Sequence, residues 1–142
     1  MLASEPARLA PAPLGTTTAV GAGWQVTVTG AARDITAELL AENEFNDPPP
    51  TGFRYVGVDM TFAYSGAGSA YPANVSIGAV GSDNVQHDEY CGIVPGELDQ
   101  FTDLFAGGSA SGTMCLVVPD DGGAIALFAT ADFDGFIWFA TS

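Results

Sequence analysis

Hydrophobic and polar positions alternate through most of the chain beyond residue 23. In WQVTVTG, Trp24, Val26 and Val28 alternate with Gln25, Thr27 and Thr29, a period of two that turns one face to a core and the other to water. RYVGVDMTFAY repeats the pattern, with Val56, Val58, Met60, Phe62 and Tyr64 inward and Asp59 and Thr61 outward. ANVSIGAV, the turn cluster GSDN and VQHDEY read as a hairpin. GGSASGTMCLVVP puts Met114, Leu116 and Val118 on one face before Pro119 and DDGG end the strand. AIALFAT and FIWFAT complete the set. About seven or eight short strands between Gly, Asp and Pro turns predict an all-β fold, an antiparallel immunoglobulin-like β-sandwich over residues 21–142.

RDITAELLAENEF departs from this rhythm. Ile35, Leu39 and Leu40 have helical spacing and Asp34 suits a helix cap, but so short a helix is marginal in water. A short strand near 36–40 followed by a loop is therefore expected, with a single helical turn after Pro95 in PGELDQF. Residues 1–20 carry Pro6, Pro11 and Pro13 among alanines without a sustained apolar stretch, and read as a linker or arm rather than a signal peptide. An export signal would then lie upstream.

The stretch ENEFNDPPPTGF separates this irregular segment from the core strand. Pro48, Pro49 and Pro50 donate no backbone hydrogen bonds and hold the chain extended, so they end whatever precedes them. Asn46 and Asp47 suit a turn, Phe45 is placed to plug an end of the sandwich, and Gly52 frees the backbone to enter the sheet. Because irregular loops on rigid scaffolds carry recognition, Glu44, Phe45, Asn46, Asp47, Pro48, Pro49 and Pro50 are also the candidate binding loop.

Composition narrows the partner. With 142 residues and 47% hydrophobic content, the chain can bury a core of its own, which excludes a disordered chain. Seventeen acidic residues face only Arg8, Arg33 and Arg54, for a formal net charge of -14. Nucleic acid and anionic lipid are poor partners for such a surface, and no apolar run is long enough to span a bilayer. The acidity reads first as a solvated, salt-tolerant surface. Cys91 and Cys115 are either a disulfide or two buried thiols; with neither CxxC nor a Cys/His set, structural zinc is excluded.

Catalytic chemistry finds little support. His87 stands alone beside Asp88 and Glu89 and reads as a surface histidine, and the centre of GGSASG is Ala110 where a nucleophile elbow needs serine. Carboxylate pairs are frequent, and calcium is the cation they suit best. Asp132 and Asp134 in DFDG, with Glu42, Glu44 and Asp47, are the candidate ligands, although no complete EF-hand loop is present. The sequon NVS at 74–76 reads as chance. Trp24, Trp138, Phe136 and Phe139 form either an exposed platform or, for at least half of them, core.

The order of landmarks GWQVTVT, AENEFNDPPPTGFRYVGVDMTF, AYSGAGS, CGIVPGELD, LFAGGSASGTMCLVVP and FIWFA resembles that of an immunoglobulin-like family of actinobacterial secreted proteins and lipoproteins. This family is the domain of unknown function 4352, to which the mycobacterial immunoprotective extracellular protein is related. The likeness runs from about residue 21 to the C-terminus. It implies an extracellular sandwich, often behind a lipid anchor, with no established enzymatic role. The family's paired cysteines match Cys91 and Cys115, which implies a disulfide and an oxidising compartment; the chain departs from it in showing no lipobox cysteine. The expected function is a non-catalytic interaction module of the cell envelope that needs no cofactor and contacts a protein, glycan or small ligand through its loops. Alternatives are a structural subunit of a surface filament or virion, self-assembling through the N-terminal arm, and a calcium-dependent adhesion domain.

Overall fold

A computed structural model of the chain describes residues 10–89, 91–131 and 136–142. Its centre is β4 (Phe53–Tyr64), which pairs antiparallel along its whole length with β9 (Ser109–Pro119). The other edge of β4 takes β2 (Trp24–Val28) and β3 (Arg33–Asp34), and β2 in turn pairs with β1 (Thr18–Gly21). A second antiparallel sheet runs in the order β11 (Ile137–Ala140), β10 (Ala126–Thr130), β6 (Ser76–Val80), β7 (Gln86–His87). The short ribbon of β5 (Ser69–Ala70) and β8 (Leu104–Phe105) stands apart from both. The antiparallel β-sandwich expected from the alternation is thus present, and seven of its strands among the described residues have four residues or more.

The alternation is what builds the core. Trp24, Val26, Val28, Val58, Met60 and Phe62 from one sheet meet Ala79, Leu127, Ala129 and Phe139 from the other, all at most 1% exposed. Trp24 packs against Tyr64 with ring centroids 5.0 Å apart. Each Val, Leu, Met or Phe among them contributes roughly 1.5–3 kcal/mol of burial free energy. Trp24 and Phe139 are therefore core, while Trp138 lies in a separate cluster with Phe128 and Phe136, the latter two stacked at 4.4 Å. Phe128 and Trp138 are themselves buried, so the four aromatics do not make an open platform.

Along β4 the alternation gives way to continuous burial from Tyr55 to Val58. The reason is the segment expected as a strand, which is instead α1 (Thr36–Glu42). Leu39, fully buried, joins Ile35, Tyr55, Cys91, Val94 and Val117 in a second apolar cluster on the outer side of the sheet. Asp34 does not cap the helix, whose N-cap is Ile35; its Oδ1 instead accepts from the Thr36 amide in a turn just before it. Gly57 makes room for this arrangement, since a Cβ there would stand 3.0 Å from the Ile35 side chain. Burial of one face stabilises a helix too short to persist alone. The turn after Pro95 does not become helical; Glu97 instead bridges to Thr113 beside β9.

The boundary expected at residue 20 also moves. The Ala12 amide donates to the Trp138 carbonyl at 2.8 Å, the Ala140 amide donates to the Ala12 carbonyl at 2.8 Å, and Val20 enters the core. Residues 11–20 thus belong to the sandwich, because β11 and β2 offer them backbone partners that a free linker lacks.

Candidate functional site

The disulfide joins Cys91 to Cys115 with 6.2 Å between their Cα atoms. It fastens the loop that follows β7 to β9, and the candidate binding loop fastens to the same place through one residue. Asn46 donates from Nδ2 to the Leu39 carbonyl at 2.7 Å and to the Ile93 carbonyl at 2.8 Å, while its Oδ1 accepts from the Ile93 amide at 2.8 Å. The Leu39 carbonyl lies in the last turns of α1, where carbonyls lack partners within the helix. Gly92 permits the approach: its φ of +130° suits glycine, and a Cβ there would come within 2.5 Å of Asn46 Oδ1. The Tyr55 hydroxyl donates to the Asp47 carbonyl at 2.8 Å, fixing the chain where the prolines begin. Burial of the ring, and then the charge of Asp47, hold the Tyr55 hydroxyl above its usual pKa.

Between these two loops runs a groove of about 400 Å³ with Tyr55, Val117 and Cys91 among its lining and Phe45, Pro48, Pro50 and Ile93 contributing walls. Phe45 does not plug the sandwich. The Asn43 side chain accepts from its amide at 2.8 Å in a local turn, and the ring is left 82% exposed. Ile93 is 47% exposed, whereas its neighbour Val94 is buried. A second hollow of about 350 Å³ lies against the same disulfide, with Ala73, Gln100 and Met114 in its lining and Asp88, Glu89 and Glu97 as its carboxylates. Glu89, Cys91 and Gly92 line both, so the two hollows adjoin.

Among the described residues neither hollow has a basic residue in its lining. Arg33 pairs with Asp59 at 3.2 Å, where Thr113 also donates to the carboxylate, and Arg54 stands 3.6 Å from Asp34. The Thr113 hydrogen bond, and then Arg33, hold the Asp59 carboxyl below its usual range. Asp34 is lowered by the Thr36 amide and by Arg54. Both described arginines are therefore committed to aspartates elsewhere.

His87 is not the surface residue that its polar neighbours suggested. It is 8% exposed, its Nε2 lies 2.7 Å from Asp83 Oδ2 and its Nδ1 lies 3.3 Å from Glu89 Oε1. The Phe53 ring stands edge-on at 5.1 Å. Burial alone would lower the imidazole pKa, but the contacts with Asp83 and Glu89 outweigh it and raise the value above 6.5. The imidazole thus meets Glu89 at the rim shared by the two hollows.

Among the described residues no three His, Cys, Asp or Glu side chains gather as metal ligands would, and Glu42, Glu44 and Asp47 make no such set. Asp132 and Asp134 lie outside the described residues. The residues that sequence reading missed are Tyr55, Ile93 and Val117 of the groove, together with Phe101 and Phe105, which are 76% and 65% exposed.

Among the described residues no helix is long and apolar enough to cross a membrane. No family model matches the chain, and no curated protein matches it. Among solved structures it is similar to an uncharacterized beta-sandwich protein from Clostridium difficile 630. The two share 13% identity at a TM-score of 0.52, over 93% of this chain and 95% of that one, a likeness that concerns the fold alone.

Proposed function

We propose that this chain is an exported, non-catalytic interaction module that holds a partner in the groove beside the Cys91–Cys115 disulfide, at the cell envelope or outside the cell. The observation that carries this reading is exposure combined with restraint. Phe45 and Ile93 stand in solvent, yet Asn46 ties their backbone segments to each other and to α1. A mobile loop would be free to fold its phenylalanine under, whereas a fixed one presents it, and a preorganised surface loses less entropy on binding. The disulfide suits an oxidising compartment, and the motif order that resembles the domain of unknown function 4352 supports the same setting.

His87 supports the non-catalytic part. It is the chain's one histidine, and with carboxylates at both ring nitrogens neither is available to deprotonate a nucleophile. A filament or virion subunit is less favoured, since residues 12 and 15 of the arm bond to the chain's own β11 and β2. The test is photo-crosslinking on intact cells with p-benzoylphenylalanine at position 45, and at position 111 on exposed β9 as control. A discrete adduct from position 45 only is the expected result. Equal labelling from both positions, or none from either, would overturn the reading.

A further inference from the structure

We infer that the occupant of the groove is a linear, cationic segment of a partner protein, with an apolar side chain seated beside Phe45 and Ile93 and an Arg or Lys reaching the carboxylates across the disulfide. The inference rests on the docking role proposed above and gives its partner a chemistry. Two surfaces of different character adjoin at Glu89, Cys91 and Gly92: a mainly apolar one with Tyr55, Val117, Pro48 and Pro50 and the carboxylate of Asp47 at its side, and a more acidic one with Asp88, Glu89 and Glu97. An apolar side chain alone would occupy the first and leave the second hydrated. A segment carrying both an aromatic residue and a cation fills both, and extended chain advances roughly 3.3 Å per residue, so side chains a few positions apart reach across a disulfide.

Charge complementarity argues against an anionic occupant and against a second copy of the chain. Among the described residues neither hollow has a basic residue in its lining, and Arg33 and Arg54 are paired with aspartates elsewhere, so no described cation draws an anion there. A second copy of the chain would bring its own net charge of -14. Glu89 stands 3.3 Å from His87 at the shared rim, which leaves Asp88 and Glu97, with Asp47 on the groove side, as carboxylates a cation meets without first displacing that contact.

The test is a titration of the whole, oxidised protein followed by amide NMR. The probe is an acetylated hexapeptide amide, Arg-Arg-Gly-Gly-Trp-Gly, alongside the same peptide with Glu for Arg, the same with Gly for Trp, and chitohexaose as a neutral glycan. The Arg/Trp peptide is expected to shift amides at 45–47, 88–89, 91–94 and 97, and to bind roughly three- to tenfold more weakly to an Asp88→Asn/Glu97→Gln variant, as two exposed ion pairs allow. The two one-sided peptides are expected to bind more weakly than the Arg/Trp probe. Groove shifts of equal size and affinity with the Glu peptide would overturn the cationic assignment and leave docking at the groove intact. Groove shifts with chitohexaose alone would replace peptide by glycan. Groove amides that move with protein concentration before any addition would mean self-association and overturn the inference. No groove shift with any probe, alongside a discrete adduct from position 45, would overturn the peptide class; without that adduct the docking role fails as well.

Discussion

Asn46 satisfies three backbone groups with one side chain, and its replacement leaves those of Leu39 and Ile93 without these partners. Asn46→Ala is expected to cost about 1–3 kcal/mol, read as a lower denaturation midpoint. Gly92→Ala is expected to act through the same contact, because its Cβ would displace Asn46 Oδ1. The double variant should therefore lose less than the two single losses combined, and full additivity would mean that the residues are not coupled. At His87 the folded protein holds a proton more tightly than the unfolded chain, since its pKa is raised above 6.5. The stabilisation is complete below the unfolded value and disappears as pH rises through the folded one. Thermal unfolding of wild type and His87→Gln should accordingly differ most below the unfolded value, with the gap narrowing as pH rises through the folded one. A gap that widens with pH would contradict the charged Asp83–His87–Glu89 arrangement.

At the scale of elements, α1 explains where local pattern and structure part company. Its Ile35 and Leu39 were visible at helical spacing, but the energy that makes it a helix comes from Tyr55, Val94 and Val117, which are distant in sequence. Leu39→Ala is expected to destabilise by about 2–5 kcal/mol, and a loss below about 1 kcal/mol would mean that α1 is dispensable to the fold. The strands were most legible where a half-buried strand writes its burial as a period of two, in β2 and the second half of β4. The groove was legible by half. The proline-rich loop announced itself through Asn46, Asp47 and Pro48, but its partner Ile93 lies 47 residues away from Asn46 and no local periodicity encodes that meeting. The orientation of Phe45 depended on a side-chain bond from Asn43, and hydrophobicity alone pointed the ring the wrong way.

For the whole molecule, two features act at a distance: the net charge and the crosslink. A charge of -14 repels itself within a small body, and the Debye length contracts from about 30 Å at 0.01 M salt to about 3 Å at 1 M. The unfolding midpoint is therefore expected to rise between 0.01 M and 1 M NaCl; a fall would show that the few internal ion pairs outweigh the repulsion. The disulfide closes a loop across 24 positions and should contribute about 3–4 kcal/mol by loop entropy. Together with Asn46 it holds the two walls of the groove. The most direct test of that central claim is backbone 15N relaxation of residues 43–47 and 92–94 in the oxidised protein. Order parameters near those of β4, about 0.85, are predicted, with a drop in both segments for Asn46→Ala. Values below about 0.6 in the oxidised wild type would mean that the walls are mobile and that Phe45 and Ile93 are not a presented surface.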